Sequence, residues 1–457
     1  MRDEPQASAA QDSPSSHRRL LLSLGLIIIA ILGLVFTRNL IDFPVYYAAG
    51  RSLLNGRSDL YSPDFAAGRV MDYRYPPFFL LALAPLWLMP YAGAAYIWFL
   101  LQVSQIIGCV VVLRRVLGAA QLTWKIWLIS ALGVGQYYVM VLHYGNAHLI
   151  ALFLLFAAFY CAFKNKKLRG AAAMSLAITI KLTPVLLLPF FALRRKRDFL
   201  LLVGALLIAV NLSPAAYFGF NQNGELLRTW YNHVIADQEF HETNGPINLS
   251  LKGQLRRYFT QVDYGQRIDG DVQYPAINVA SMSAQQTDAV WMIIAAIVFA
   301  SALAVVWKSS RRRLNGCGAG KAGATTEKGN GWCVDRAALE FGLMICVGLL
   351  VGPLTSKIYF IALLWPIVCL SSFTATKATA AARFGYRVLL LISALNCVLP
   401  LLPGRQLQRL LLVLGVDFFV NCLLLAAVTY SLIASSRSRA RPSAEPQRQA
   451  PLTAKTS

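Results

Sequence analysis

IWLISALGVGQYYVMVLHYGNAHLIALFLLFAAFYCAF, residues 126–163, contains no Asp, Glu, Lys or Arg. A helix needs about 20 apolar residues to cross a hydrocarbon core about 30 Å thick. The stretch holds two such lengths, about 123–142 and 147–163, joined by the polar turn HYGNAH. The basic run KNKKLR follows at once. This is the pattern of a helix that leaves one side of a membrane and returns to it. Similar runs recur at 20–37, 92–113, 199–218, 287–307, 337–352, 358–373, 386–402 and 409–433. The expected fold class is an all-α polytopic membrane protein.

Composition agrees. Hydrophobic residues make up 57% of the 457-residue chain and charged residues 14%, where soluble domains carry about a quarter charged. The net charge of +22 would suit nucleic acid on a soluble chain. Here the Lys and Arg residues cluster between apolar runs, at 114–115, 164–169, 194–197, 308–313 and 437–441. That is the signature of loops retained in the cytoplasm. No basic groove with interleaved aromatics is present, so no nucleic-acid partner is expected. The eight cysteines show no CxxC or Cys/His ligand spacing, so no metal site is expected. His143 and His148 are five residues apart and do not share one helical face.

Charge also fixes an expected topology. A polar, disordered cytoplasmic tail (1–19) precedes a membrane domain (20–434), and a disordered basic tail (435–457) follows it. The outer loops are 38–75 and 219–285; the cytoplasmic loop is 308–336. The short run 76–90, bounded by prolines, reads as a helix lying on or partly in the membrane. Residues 170–193 have basic runs on both sides, so one straight span cannot fit. Two short helices hinged at Lys181–Pro184 can, because a proline disfavours helix at the residue before it. The count comes to about twelve helices with both termini inside, in the inner cell membrane.

With this topology, the polar residues beside apolar segments fall at the outer helix ends. They are Asp42, Tyr75, His143, Asn146, His148, Lys181, Lys357 and Tyr359. Ionisable groups at membrane depth are costly and commonly serve a site, although Tyr and Lys also act as interfacial anchors. Asp42 could also merely cap the helix that opens near Pro44. Glu340 and Asp417, inside apolar runs, read as buried structural polar groups. Asn248-Leu249-Ser250 fits a glycosylation sequon, a pattern short enough to occur by chance.

Several stretches together resemble glycosyltransferase family 87. They are DFPVYYAAGRSLLNG at 42–56, DLY at 59–61 and YRYPPF at 73–78. HYGNAHL at 143–149, LAITIKLTP at 176–184, NLSLKG at 248–253 with Arg256 and Arg257 behind it, and GPLTSKIYF at 352–360 complete the set. The resemblance implies a GT-C-type helical bundle of about twelve spans with helical outer loops. It implies an inverting membrane hexosyltransferase that takes a sugar, mannose above all, from a polyprenyl-monophosphate donor. The acceptor would be a glycolipid or glycan on the extracytoplasmic face, and the partners are otherwise membrane lipids. No cofactor is implied. Asp42 takes the place of the general base. Lys181, Lys357, His143, His148, Asn146, Tyr75, Asn248, Arg256 and Arg257 are the candidates for binding donor phosphate or sugar. The chain departs from the family pattern at Tyr144, where a Gln is usual, and at Ile358, where a His often stands. A lipid-linked-sugar flippase or transporter is the alternative; the absence of paired internal repeats speaks against it.

Overall fold

Apolar runs free of helix breakers close their backbone hydrogen bonds internally, the form that lipid demands. The computed structural model describes residues 14–62, 73–236, 247–261, 274–316, 327–377, 380–399 and 405–437, and no strand occurs among them. Helix α1 (Pro14–Phe36) passes through a 3-10 turn at Thr37–Asn39 and bends by 71° into α2 (Phe43–Leu54). The bend falls at 40–42, where Leu40 is extended and Pro44 opens the next helix. Prolines at 76, 77, 85 and 90 then confine α3 (Pro77–Ala82) and α4 (Ala84–Trp87) to one or two turns. Both pack on α2.

Four helices follow: α5 (Tyr91–Leu117), α6 (Trp124–Tyr144), α7 (His148–Phe163) and α8 (Lys167–Ile180). The chain breaks at Lys181, turns through a 3-10 segment at Thr183–Leu187, and returns as α9 (Leu188–Leu193). The expected hinge is therefore present. Next come α10 (Arg197–Leu212), α11 (Ala215–Phe218), α12 (Phe220–Trp230) and α13 (Leu251–Phe259), the last two within the expected outer loop. Helices α14 (Ala284–Gly316) and α15 (Glu327–Val351) precede a 3-10 helix, Lys357–Leu363, that runs into α16 (Leu364–Lys377). The described chain ends with α17 (Ala380–Val398), α18 (Arg405–Leu414) and α19 (Val416–Arg437).

Among the described residues six helices are long and apolar enough to cross a membrane, or seven if α1 and α2 count as one bent span. Helix α7 and the 183–193 segment are apolar but short. Several expected boundaries move. Residues 14–19 belong to α1 rather than to a disordered tail, because Pro14 suits a first turn and no breaker follows before Gly25. The loop expected at 308–336 narrows from both ends, as α14 runs on to Gly316 and α15 begins at Glu327. Lys and Arg end a span but are good helix formers. Residues 435–437 likewise continue α19. The single helix expected at 409–433 divides at Gly415, whose φ of +71° a side chain would strain. A Cβ there would also lie 1.6 Å from Gln254 Nε2. The tails 1–13 and 438–457 and the loop centre 317–326 lie outside the described residues.

Helix α7 packs between α5 and α8, α8 also against α10, α6 against α17, and α15 against α19. Phe156, Phe159, Phe190, Phe341 and Trp365 meet in the larger core. A second cluster gathers Phe43, Tyr46, Trp87 and Trp98 around the α1–α2 bend. Outward faces stay apolar, with Leu26 68% and Leu201 75% exposed. Such a surface is soluble only in lipid.

Ion pairs tie the basic turns together at one end. Lys167 Nζ lies 2.5 Å from Asp198, and Lys196 Nζ donates to the Ala162 carbonyl at 3.0 Å. Arg194 pairs with Glu340, which also accepts from Ser309, and Arg336 Nε donates to Ser309 Oγ at 2.6 Å. The runs 164–169, 194–197 and 308–313 thus share one end of the bundle. Glu340 is the fully buried centre of this knot. Removing one partner of a buried pair strands the other charge, at about 3–5 kcal/mol. Glu340→Ala should therefore lower the thermal midpoint in detergent sharply, while Lys167→Ala, at an exposed pair, should barely move it.

Candidate functional site

The opposite end of the bundle is organised by one tight turn. Gly145, at φ +65°, ends α6; a Cβ there would come within 2.8 Å of Leu40 Cδ2. The turn can therefore press against the α1–α2 bend. The backbone N–H groups of Ile41 and Asp42 both donate to the Tyr144 carbonyl, at 3.2 and 2.8 Å. Trp98 Nε1 holds the Gly145 carbonyl at 2.7 Å, and Gln102 Nε2 holds that of Asn146 at 2.8 Å. Asn146 Oδ1 accepts from the His148 backbone at 2.9 Å, which turns its amide nitrogen towards Asp42.

Asp42 immediately precedes α2, yet its side chain makes no capping bond. The carboxylate instead faces Asn146, Lys181 and Arg74. Burial raises its pKa to about 6, and those three partners hold the rise in check. Lys181 reaches this place because the helix stops there: its backbone is extended (φ −139°, ψ 124°). Its ammonium sits 5.4 Å from the ring centroid of Tyr75 and 5.2 Å from that of Tyr359. It also donates to Tyr359 Oη at 3.3 Å. Two aromatic faces favour a cation that is largely out of water.

Around Lys181 the rings form a continuous wall. Tyr46 Oη donates to Tyr75 Oη at 2.9 Å, and Tyr61 Oη to the Tyr75 carbonyl at 2.9 Å. On the far side His148 stacks on Tyr359, centroids 4.5 Å apart and planes within 1°. Lys181 heads a cavity of about 60 Å³ between α7, the 183–187 turn, α15 and the 3-10 helix. Below the lysine the walls are mostly aliphatic, from Leu152, Leu155, Leu187, Ile345 and Leu349. One charged head over an apolar trough fits an amphiphile with a small anionic group.

Of the residues expected from sequence, Asp42, Asn146, Lys181, Tyr75 and His148 come together here. His143 does not: it is exposed and lies edge-on to Tyr144, while His148 is buried. Lys357 faces Asp417 at 3.8 Å. Arg256 Nε donates to Asp288 at 2.8 Å, and Lys252 lies 3.4 Å from the same carboxylate. Arg257 donates to the Asn248 carbonyl at 2.7 Å. Asn248 is fully buried, its amide split between the Pro353 carbonyl and the N–H groups of Ser250 and Thr355. These residues fasten α13 to the 352–356 loop and α14, and a glycan could not reach the sequon. Tyr144 serves the site through its carbonyl, and Ile358 is buried rather than on the cavity wall. Tyr46 and Arg74 were not singled out from sequence. Tyr46 lies one helical turn beyond Asp42, and Arg74 lies within the YRYPPF motif, which were the available signals.

The model of the family described as Glycosyltransferase family 87 matches residues 73–326. The chain is also 29% identical over 266 residues to a polyprenol-phosphate-mannose-dependent alpha-(1-2)-phosphatidylinositol pentamannoside mannosyltransferase of Mycolicibacterium smegmatis. That alignment covers 54% of this chain and 54% of the relative, so the chain spans about half the length of the curated relative it matches.

A buried carboxylate with a raised pKa opposes folding when ionised. The penalty is complete above pH 6 and fades as pH falls towards the unfolded value of 3.8. Asp42→Asn should therefore raise the thermal midpoint at pH 7.5, and the gain should vanish near pH 4. A midpoint lowered at pH 7.5 would mean that the carboxylate is structural.

Proposed function

We propose that this chain, which belongs to glycosyltransferase family 87, is a membrane hexosyltransferase that moves a hexose, mannose above all, from a polyprenyl monophosphate to a glycolipid or glycan acceptor. The observation that carries this reading is Lys181, a cation that lines a mostly apolar cavity and lies close enough to Asp42 to act on its carboxylate. The relative named above depends on polyprenol-phosphate-mannose, which supports the donor class. The bundle is read as a GT-C-type fold of about twelve membrane helices, with the site on the extracytoplasmic face. The gathering of basic turns at the far end supports that orientation.

In this reaction the acceptor hydroxyl oxygen attacks the anomeric carbon from the side opposite the phosphate. The bond between that carbon and the phosphate oxygen breaks, and the configuration inverts. Asp42 takes the hydroxyl proton and later gives it to water. A carboxylate of pKa about 6 is a better base than an ordinary one and is still ionised at neutral pH. The departing phosphate goes from one negative charge to two. Lys181, preset between Tyr75 and Tyr359, gains interaction with it as that charge develops, which is how an electrostatic contact lowers a barrier. The Tyr359 hydroxyl, now accepting from Lys181, can turn to donate to the same phosphate. The first isoprene units lie along Leu152, Leu155 and Leu349.

Purified protein supplied with polyprenyl-phosphate mannose and membrane acceptors should form a glycosylated product. Its kcat/KM should fall about tenfold per pH unit below pH 6. Asp42→Asn should retain folding and lose turnover by about 1,000-fold or more. Full activity in that variant would end the reading of Asp42 as base. Gly348 lines the cavity and has open space where a Cβ would point. Gly348→Phe should therefore fill the trough, and should raise KM for long-chain donors more than for short-chain ones. Equal effects on both would place the lipid elsewhere.

A further inference from the structure

Apart from the Asp42–Lys181 site, the bundle holds a second buried polar cluster, centred on Asp417. This carboxylate is 2% exposed. Its Oδ1 accepts from Tyr137 Oη at 2.6 Å and from Asn396 Nδ2 at 2.8 Å, and its Oδ2 faces Lys357 Nζ at 3.8 Å. Four elements therefore meet on one side chain: α6 through Tyr137, α17 through Asn396, α19 through Asp417 itself, and the 3-10 helix through its first residue, Lys357. Gly415 breaks the chain two residues earlier, so Asp417 stands in the first turn of α19, where a helix favours negative charge.

Lys357 begins the short helix whose third residue is Tyr359. Tyr359 lines the cavity, accepts the Lys181 hydrogen bond and stacks on His148. Ser356, which precedes the helix, makes no side-chain cap. A 3-10 helix has poorer hydrogen-bond geometry than an α-helix and depends on outside anchors. Its first residue is tied to a carboxylate that three other helices fix. We propose that Asp417 is a positioning residue for the transfer reaction: through Lys357 it sets the 3-10 helix at the register that brings Tyr359 against Lys181. This assigns Lys357 to a buried anchor instead of to the donor phosphate. It rests on the reading of Lys181 as the phosphate-binding cation.

A double-mutant cycle tests it in purified, full-length protein. Asp417→Asn keeps the shape and the Asn396 and Tyr137 contacts but drops the charge that holds Lys357. Tyr359→Phe removes the hydroxyl that meets Lys181. Each should lower kcat/KM for polyprenyl-phosphate mannose by about tenfold, most of it in kcat, and the double variant should be no worse than the poorer single one. Losses that multiply to about 100-fold would overturn the proposal, because the two residues would then act separately. Hydrogen exchange over 356–364 gives a reading that needs no substrate. In Asp417→Asn, protection should drop there while α7 and α8 stay unchanged. Unchanged exchange in 356–364, or a loss spread over the whole bundle, would also overturn it. If the unmutated protein transfers no sugar from this donor while the exchange result holds, the donor assignment fails and the anchor stands.

Discussion

A half-buried carboxylate that faces Lys181 and Arg74 and makes no capping bond is the constraint around which this molecule is built. Asp42 sits where a 71° bend ends one helix and starts the next. Its backbone is spoken for by the Tyr144 carbonyl, which leaves the side chain free of any capping duty. Burying an ionisable group this way costs stability. It persists because the surrounding elements are over-determined: the left-handed Gly145, the Trp98 and Gln102 bonds to the turn, and the aromatic packing of Phe43 on Trp98.

Lys181 is its counterpart, and the chain brings it there by failing to continue a helix. Were 170–193 one straight helix, the lysine would lie midway along a span with nothing to pair with. Broken at 181, it enters an aromatic cage at the level of Asp42. The same break leaves an apolar trough beneath it. Charge above and hydrocarbon below is the complement of a lipid phosphate. The opposite end follows the reverse logic, with the Arg194–Glu340 knot gathering the basic turns and pinning the far ends of the helices that carry the site.

The sequence made the local decisions readable. Pro184 exposed the hinge, the prolines around 76–90 exposed the short helices, and the resemblance of the 42–56 stretch to the family pointed to Asp42. Long-range pairing was not readable. Nothing near Lys357 announces Asp417, sixty residues on, and nothing near Arg256 announces Asp288. Both cations therefore looked available for a phosphate, though each has a carboxylate close by. His143 and His148 were both candidates for the donor phosphate, but the left-handed turn between them sends one outward and one inward. Helix ends also escaped the reading, since basic residues stop a membrane span without stopping a helix.

The proposed reaction needs the donor's phosphate on Lys181 with Asp42 facing the sugar. A structure of the protein with a non-cleavable polyprenyl-phosphonate sugar bound tests it most directly. The phosphonate is expected on Lys181 and Tyr359, the isoprenoid chain along Leu152 and Leu349, and the anomeric carbon turned towards Asp42. A phosphonate seated on Lys357, or on Arg256 and Arg257, with the cavity below Lys181 empty, would contradict it.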